Sequence, residues 1–270
     1  MPRSGDVILS DYWQRKIEVV IGTRRYTSPD FDIEFKISFD TEPIPNEGEI
    51  IMYNLNKDSL NNIVRGHSIV VNAGYGEDIG VVISGVIVSV RTKPEGLDKI
   101  TTIKTLDVPN QMLRKKINYT YKGNPSAEHI IRDVLHYAGG TKPNVLQLRN
   151  KKNYPRGYTA RGTCLDVINR IANNCGSRLS IHNNTINILM AHKNTEMAYV
   201  IGSREGLLSV EPIDEEDNPA THKVECLLNH ALAPYSLVQM RGLTLNGNMM
   251  VIKGEHDGSS FTTKLEVRPV

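Results

Sequence analysis

The 270-residue sequence predicts an α+β protein that is mainly β, with strand-rich first and last parts around a helical middle. Three observations carry this prediction. Apolar and polar residues alternate strictly over 31–39. Two amphipathic helical segments of the same layout follow, at 127–138 and 164–175. After residue 206 the chain returns to short apolar runs parted by Asn, Asp and Gly turns. The expected divisions are an N-terminal arm at 1–16, a strand domain at 17–108, a helical α+β domain at 109–195 and a second strand domain at 196–270.

In the first strand domain, Phe31, Ile33, Phe35, Ile37 and Phe39 share one face, with Asp32, Glu34, Lys36 and Ser38 on the other. A period of two marks a strand with one buried and one wet face. Three of the four phenylalanines lie on this stripe, so it should anchor the first core. Further strands are expected at 17–21, 49–55, 68–73, 81–90 and 100–106. The glycines at 74, 76 and 80 supply one turn and Lys93-Pro94-Glu95-Gly96 another. A short helix at 57–64, capped by Asn56, should bury Leu60, Ile63 and Val64. So many strands in so short a span suggest a small closed or nearly closed antiparallel barrel.

In the middle, Asn124-Pro125 reads as a helix start, followed by Ala127, Ile130, Ile131, Val134, Leu135 and Ala138 on one face and a stop at Gly139-Gly140. Cys164, Val167, Ile168, Ile171, Ala172 and Cys175 repeat those offsets, and Gly176 ends the second helix. A duplicated unit and two ordinary amphipathic helices would look the same. A hairpin at 178–189 turns at Asn183-Asn184.

In the last part, strands are expected at 223–228, 237–241, 249–255 and 261–267, with turns at 245–248 and 257–260. Residues 211–219 read as an acidic surface loop, solvated or half of a polar subunit contact. Four or five strands do not readily bury both faces alone. They should pack on the first strand domain or on a neighbouring subunit.

Composition argues against several classes. Aromatics are scarce at 6%, which argues against a carbohydrate-binding module. A net charge of +2 gives no broad footprint for nucleic acid, and the basic stretch around Lys151 and Lys152 reads as a solvated loop. No secretory signal or bilayer-spanning run is present in the sequence. Cys164, Cys175 and Cys226 are too few for a disulfide scaffold, which points to folding in a reducing cytoplasm.

No catalytic, cofactor-binding or metal-ligating constellation is expected. The Gly74, Gly76, Gly80 spacing joins two strands, whereas a dinucleotide fingerprint must open a helix. His129 and His136 are two turns apart on one helix, too far for shared coordination without other ligands. The sharpest enzymatic alternative is a thiol peptidase using Cys164 in the first turn of a helix, with His182 or His192 nearby. Against it, Cys164 belongs to the apolar stripe and should point into the core.

The segments 45–56 and 66–75, the helix pair opened by Asn124-Pro125-Ser126-Ala127, and the ending 251–266 resemble, in order and spacing, the tail hub family of phages and phage-derived bacteriocins. The resemblance covers nearly the whole chain from Ile17. It implies that the two strand domains are barrels like the tail-tube subunit. A homotrimer would then present six barrels, joining a six-fold tube or distal tail protein to a three-fold central spike or tip. It further implies a virion or bacteriocin tail tip assembled in the bacterial cytoplasm, contact with a tape measure protein as an option, and no specific nucleic-acid binding although DNA passes the channel. A distal tail adaptor or a type VI-like spike base is the neighbouring alternative.

Overall fold

The structure, a computed structural model, describes residues 12–42, 45–107, 115–139, 143–183, 185–190, 198–215 and 217–270. Most of the expected N-terminal arm, the boundary near 108, Gly140, Asn184 and His192 lie outside the described residues. The chain forms two compact units: a sheet unit of 1–41, 46–106 and 194–270, and a helical unit of 42–45 and 107–193.

In chain order the sheet unit begins with β1 (Arg15–Ile21), β2 (Arg24–Thr27), β3 (Ile33–Asp40), β4 (Glu47–Tyr53), α1 (Lys57–Asn62), β5 (Ser68–Tyr75), β6 (Asp78–Glu95) and β7 (Asp98–Leu106). The helical unit holds β8 (Lys116–Tyr121), α2 (Ala127–Gly139), β9 (Val145–Leu146), β10 (Tyr158–Thr163), α3 (Cys164–Asn174), β11 (Ser177–His182) and β12 (Thr185–Met190). The sheet unit then resumes with β13 (Ala198–Gly202), β14 (Leu207–Pro212), β15 (His222–Leu227), β16 (Leu237–Arg241), β17 (Asn246–Asp257) and β18 (Thr262–Pro269).

The α+β, mainly β class stands, but neither strand set closes into a barrel. Early and late strands form one sheet in the order β14-β15-β18-β17-β3-β4-β7-β6-β5-β1-β2, with β16 added to β17 and β13 to β16. The reason lies at β3. Its second edge, which closure of the first set would need, is taken by β17 through Lys253↔Asp40 to Asp257↔Lys36. Of the two partners expected for the final strands, the first strand set of the same chain is the one used.

The sheet nevertheless curls over a core. Val19 on β1, Phe35 on β3, Ile50 on β4 and Ile103 on β7 share one buried cluster. Strands β1 and β3 lie five places apart in the sheet, roughly 24 Å if it were flat, too far for side chains to meet. Strand β6 makes the turn: its first half pairs β5, its second half pairs β7, and a bulge falls between Ile87 and Ser89.

The alternating stripe of β3 is buried as expected, at 5% or less for Ile33, Phe35, Ile37 and Phe39. It anchors two cores rather than one. Phe35 and Ile37 join the first cluster, while Phe39 joins a second with Val224, Val238, Val251 and Leu265. The stripe runs past the point where one strand set hands over to the other.

Several local expectations shift. Asn56 does cap α1, accepting from the Ser59 N–H at 2.8 Å, but the helix ends at Asn62 and Val64 is 45% exposed. Gly76 (φ +54°) forms the β5–β6 hairpin as read. Strands β6 and β7 extend beyond their expected ends to a two-residue turn at Gly96-Leu97. The turn expected at 245–248 sits earlier, closed by the Gly242 N–H donating to the Leu245 carbonyl, because Asn246 already pairs with Arg241. Glu211 and Pro212 belong to β14, not to the loop.

In the helical unit, α2 and α3 bury the twelve residues predicted, Cys164 and Cys175 among them. The cap of α2 is Ser126 rather than Asn124: its hydroxyl accepts from the His129 N–H at 3.1 Å. Thr163 caps α3 in a reciprocal box with Asp166. The hairpin of β11 and β12 turns at Asn183 with φ +47°.

Candidate assembly surface

The polar face of the sheet unit carries an ordered pattern of charge. Along β14, β15, β18, β17 and β3 one cross-strand row reads Glu211, Lys223, Glu266, Lys253, Asp40. The next reads Ser209, Glu225, Lys264, Glu255, Ser38. A third, on β17, β3, β4, β7 and β6, reads Asp257, Lys36, Glu49, Lys104, Ser89. Acid and base alternate in every row.

Ion pairs close at the contacts where the side chains reach. Lys253 Nζ lies 3.1 Å from Glu266 Oε1, Lys104 Nζ 3.6 Å from Glu49 Oε2, and Lys36 Nζ 3.9 Å from Asp257 Oδ2. Opposite charges facing across strands contribute about 0.2–1 kcal/mol each, and like charges would cost about as much. The alternation therefore favours this register and leaves the face nearly neutral, with seven carboxylates to five lysines. The first two rows line one concavity, and the Glu49–Lys104 end of the third lines another with Arg91, Lys93 and Glu95.

Asp257 fixes the closing turn as well as the third row. Burial would raise its carboxyl. The Ser260 and Ser259 N–H groups, at 3.2 and 2.8 Å, and Lys36 outweigh that and hold it below the usual aspartate range. On the turn's far side the Gly258 N–H donates to the Phe35 carbonyl at 2.7 Å, and a Cβ on Gly258 would strike the Phe35 ring.

This face ends in two open edges. Among the described residues, strand β14 pairs only β15. The second half of β6, beyond Ile87, pairs only β7 among the described residues. Pro94, with no N–H to donate, sits in that half, as proline does in edge strands. Between these edges run eight strands, β14-β15-β18-β17-β3-β4-β7-β6.

The enzymatic alternative finds little preparation. Cys164 is fully buried in the helical core, and burial raises its thiol although Lys115 partly opposes this. A thiol nucleophile needs the opposite shift. Burial pushes the His182 imidazole down to about 4. Among the described residues no group of three or more His, Cys, Asp or Glu is arranged to hold a metal. Sequence reasoning missed the charge rows. Their period-two signal is visible at Lys36, Ser38 and Asp40 and at Lys253, Glu255 and Asp257, but not which strands stand side by side.

No family model and no curated protein matches the sequence. Solved structures do. The prophage MuSo2 43 kDa tail protein from Shewanella oneidensis aligns at TM-score 0.71 and 12% identity, over 95% of this chain and 98% of that one. The tail protein from Neisseria meningitidis MC58 aligns at 0.70 and 10%, over 94% and 96%. The E. coli c3393 protein, a type VI secretion component described as similar in structure to T4 tail proteins gp27 and gp5, aligns at 0.68 and 10%, over 93% and 76%. From end to end, this chain has the fold of phage tail proteins.

Proposed function

We propose that the chain is the structural hub of a phage-type tail baseplate, a homotrimer that adapts a six-fold tail tube to a three-fold tip or spike. The observation that carries it is the eight-strand run with a neutral, charge-laddered face and an open edge at each end. Three copies joined edge to edge continue that run around a ring, and the two sheet-unit cores of each chain supply the six-fold repeat. Exposed edges invite pairing with another chain, and a closed ring removes them. The laddered face then lines the channel. Its alternating charge offers a passing polyanion no continuous basic track.

The hub works by shape, without catalysis; the burial of Cys164 and its raised thiol support this. Its partners are the tube or distal tail protein on one side and the spike on the other, with tape measure contact through the channel. It acts at the tail tip of a virion or bacteriocin particle. No helix among the described residues is long and apolar enough to cross a membrane. The likeness to the type VI component makes a spike base of that kind the neighbouring assignment.

The test is the mass of the assembled species in solution. A trimer, alone or on adding tube and spike proteins, is the expected result. A monomer that ignores both partners overturns the hub.

A further inference from the structure

The balanced total of +2 conceals two oppositely charged units. The sheet unit holds 18 Lys and Arg against 25 Asp and Glu, a net of −7, and the helical unit 14 against 5, a net of +9. The reading of near-neutrality as an absent electrostatic footprint therefore fails for each unit taken separately.

The basic excess is concentrated. Arg149, Lys151, Lys152, Arg156, Arg161 and Arg170 are all exposed, and none makes an ion pair among the described residues. The Arg170 guanidinium donates to the Arg161 carbonyl at 3.0 Å, which draws two of the six together. Four of the unit's five carboxylates are occupied elsewhere or buried: Glu128 with Arg132 at 2.8 Å, Asp133 with the Tyr121 hydroxyl at 2.6 Å and Asp166 in the α3 cap, while Asp107 is buried. Six exposed cations in one unit, without ion-pair partners among the described residues, favour an anionic partner.

We infer that this basic surface docks on the acidic sheet unit of a second copy of the chain. The chain itself carries the complement. Glu211, Asp214, Glu215 and Asp217 are exposed and also lack ion pairs among the described residues. Glu211 lies on β14 and the others follow it directly, beside the open edge where copies would join. Single-stranded bases would find no free stacking platform in the basic segment, since Tyr154 and Tyr158 pack on each other with centroids 4.8 Å apart. Docking of this kind presupposes the homotrimer proposed above and adds what orients its copies.

Two charge-reversed chains test it: one with Arg149→Glu, Lys151→Glu, Lys152→Glu and Arg156→Glu, the other with Asp214→Lys, Glu215→Lys and Asp217→Lys. Masses are measured at low and high salt, with circular dichroism to confirm that each chain folds. Each reversed chain alone should associate at least about tenfold more weakly than the parent. A third chain carrying both sets of reversals should recover association, because each copy then offers its neighbours the complementary sign at both surfaces. Exposed Arg→Gln and Lys→Gln versions should fall between. A trimeric parent with singly reversed chains that remain trimers, or a folded chain with both sets reversed that stays apart, overturns the docking and leaves the hub standing. A parent that is monomeric with tube and spike proteins present overturns both. Loss of retention on a DNA oligonucleotide by the first variant, with its trimer intact, assigns the surface to nucleic acid and also overturns the docking.

Discussion

The sheet unit and the helical unit use charge in opposite ways. On the sheet face every lysine of the three rows stands beside a carboxylate on the next strand, as Lys253 does between Glu266 and Asp40. On the helical unit Lys151, Lys152 and Arg156 have no such neighbour among the described residues. Compensated charge stabilises the molecule that carries it and presents little to the outside. Uncompensated charge does little for its own fold and much for an encounter, because its field is unspent. The same residue types thus serve internal register in one unit and association in the other.

Five substitutions break or sharpen this contrast. The largest effect is expected at the seam beneath the ladder. Phe39→Ala removes the ring that the second core shares with β3 and should cost the sheet unit about 3–5 kcal/mol, read as loss of hydrogen-exchange protection in β3, β17 and β18. Protection in α2 and α3 should hold; if it falls equally, the two units are not separate in stability.

Next comes Lys253→Glu, which sets an acid between Glu266 and Asp40. A loss of about 1–2 kcal/mol is expected by urea unfolding. Lys151→Glu in the helical unit should stay within about 0.5 kcal/mol of the parent while weakening association. Equal costs at the two sites would erase the distinction between compensated and uncompensated charge.

Asp257 adds a pH dependence. Its folded pKa lies below the unfolded value of 3.8, so its contribution is complete above that value and is lost as pH falls through the folded pKa. Asp257→Asn should cost about 1–2 kcal/mol at pH 7 and flatten the acid limb of a melting profile. An unchanged limb would mean that the turn does not depend on the ionised carboxylate.

The smaller of the two pH effects is expected at His182 in the helical unit. Its pKa is depressed from 6.5 to about 4, so its neutral form supports the fold above 6.5 and that support is lost as pH falls towards 4. The side chain keeps some exposure, so about 1 kcal/mol is the expected loss over that window. His182→Gln should remove the slope; protection of β11 that stays pH-dependent in the variant would assign the slope to another group.

Much of the architecture was legible locally. The β3 stripe, both helical faces, Asn56 as a cap, and the hairpins at Gly76 and Asn183 depend on a few neighbouring residues, and the structure reproduces them. What escaped had no local signal. Strand β14 buries no residue fully, so it lacked an alternating stripe, and its Glu211 and Pro212 looked like loop. Strand β13 pairs in parallel with β16 across more than thirty residues of chain. Asn124 and Ser126 are both good caps. Ser126 prevails because its neighbour Ala127 donates its N–H to the Lys152 carbonyl at 2.8 Å, which fixes where the helix begins.

By itself the sequence determined which residues turn inward and which outward, since side-chain period follows from backbone geometry. Only the tertiary structure decided that β17 takes the free edge of β3. That one pairing opens the expected barrels into a continuous sheet and splits the Phe35–Phe39 stripe between two cores. It also sets Lys253 beside Asp40 although more than two hundred residues separate them. Hydrogen-bonded edges are alike from strand to strand, so their choice of partner is settled by the packing of the whole unit.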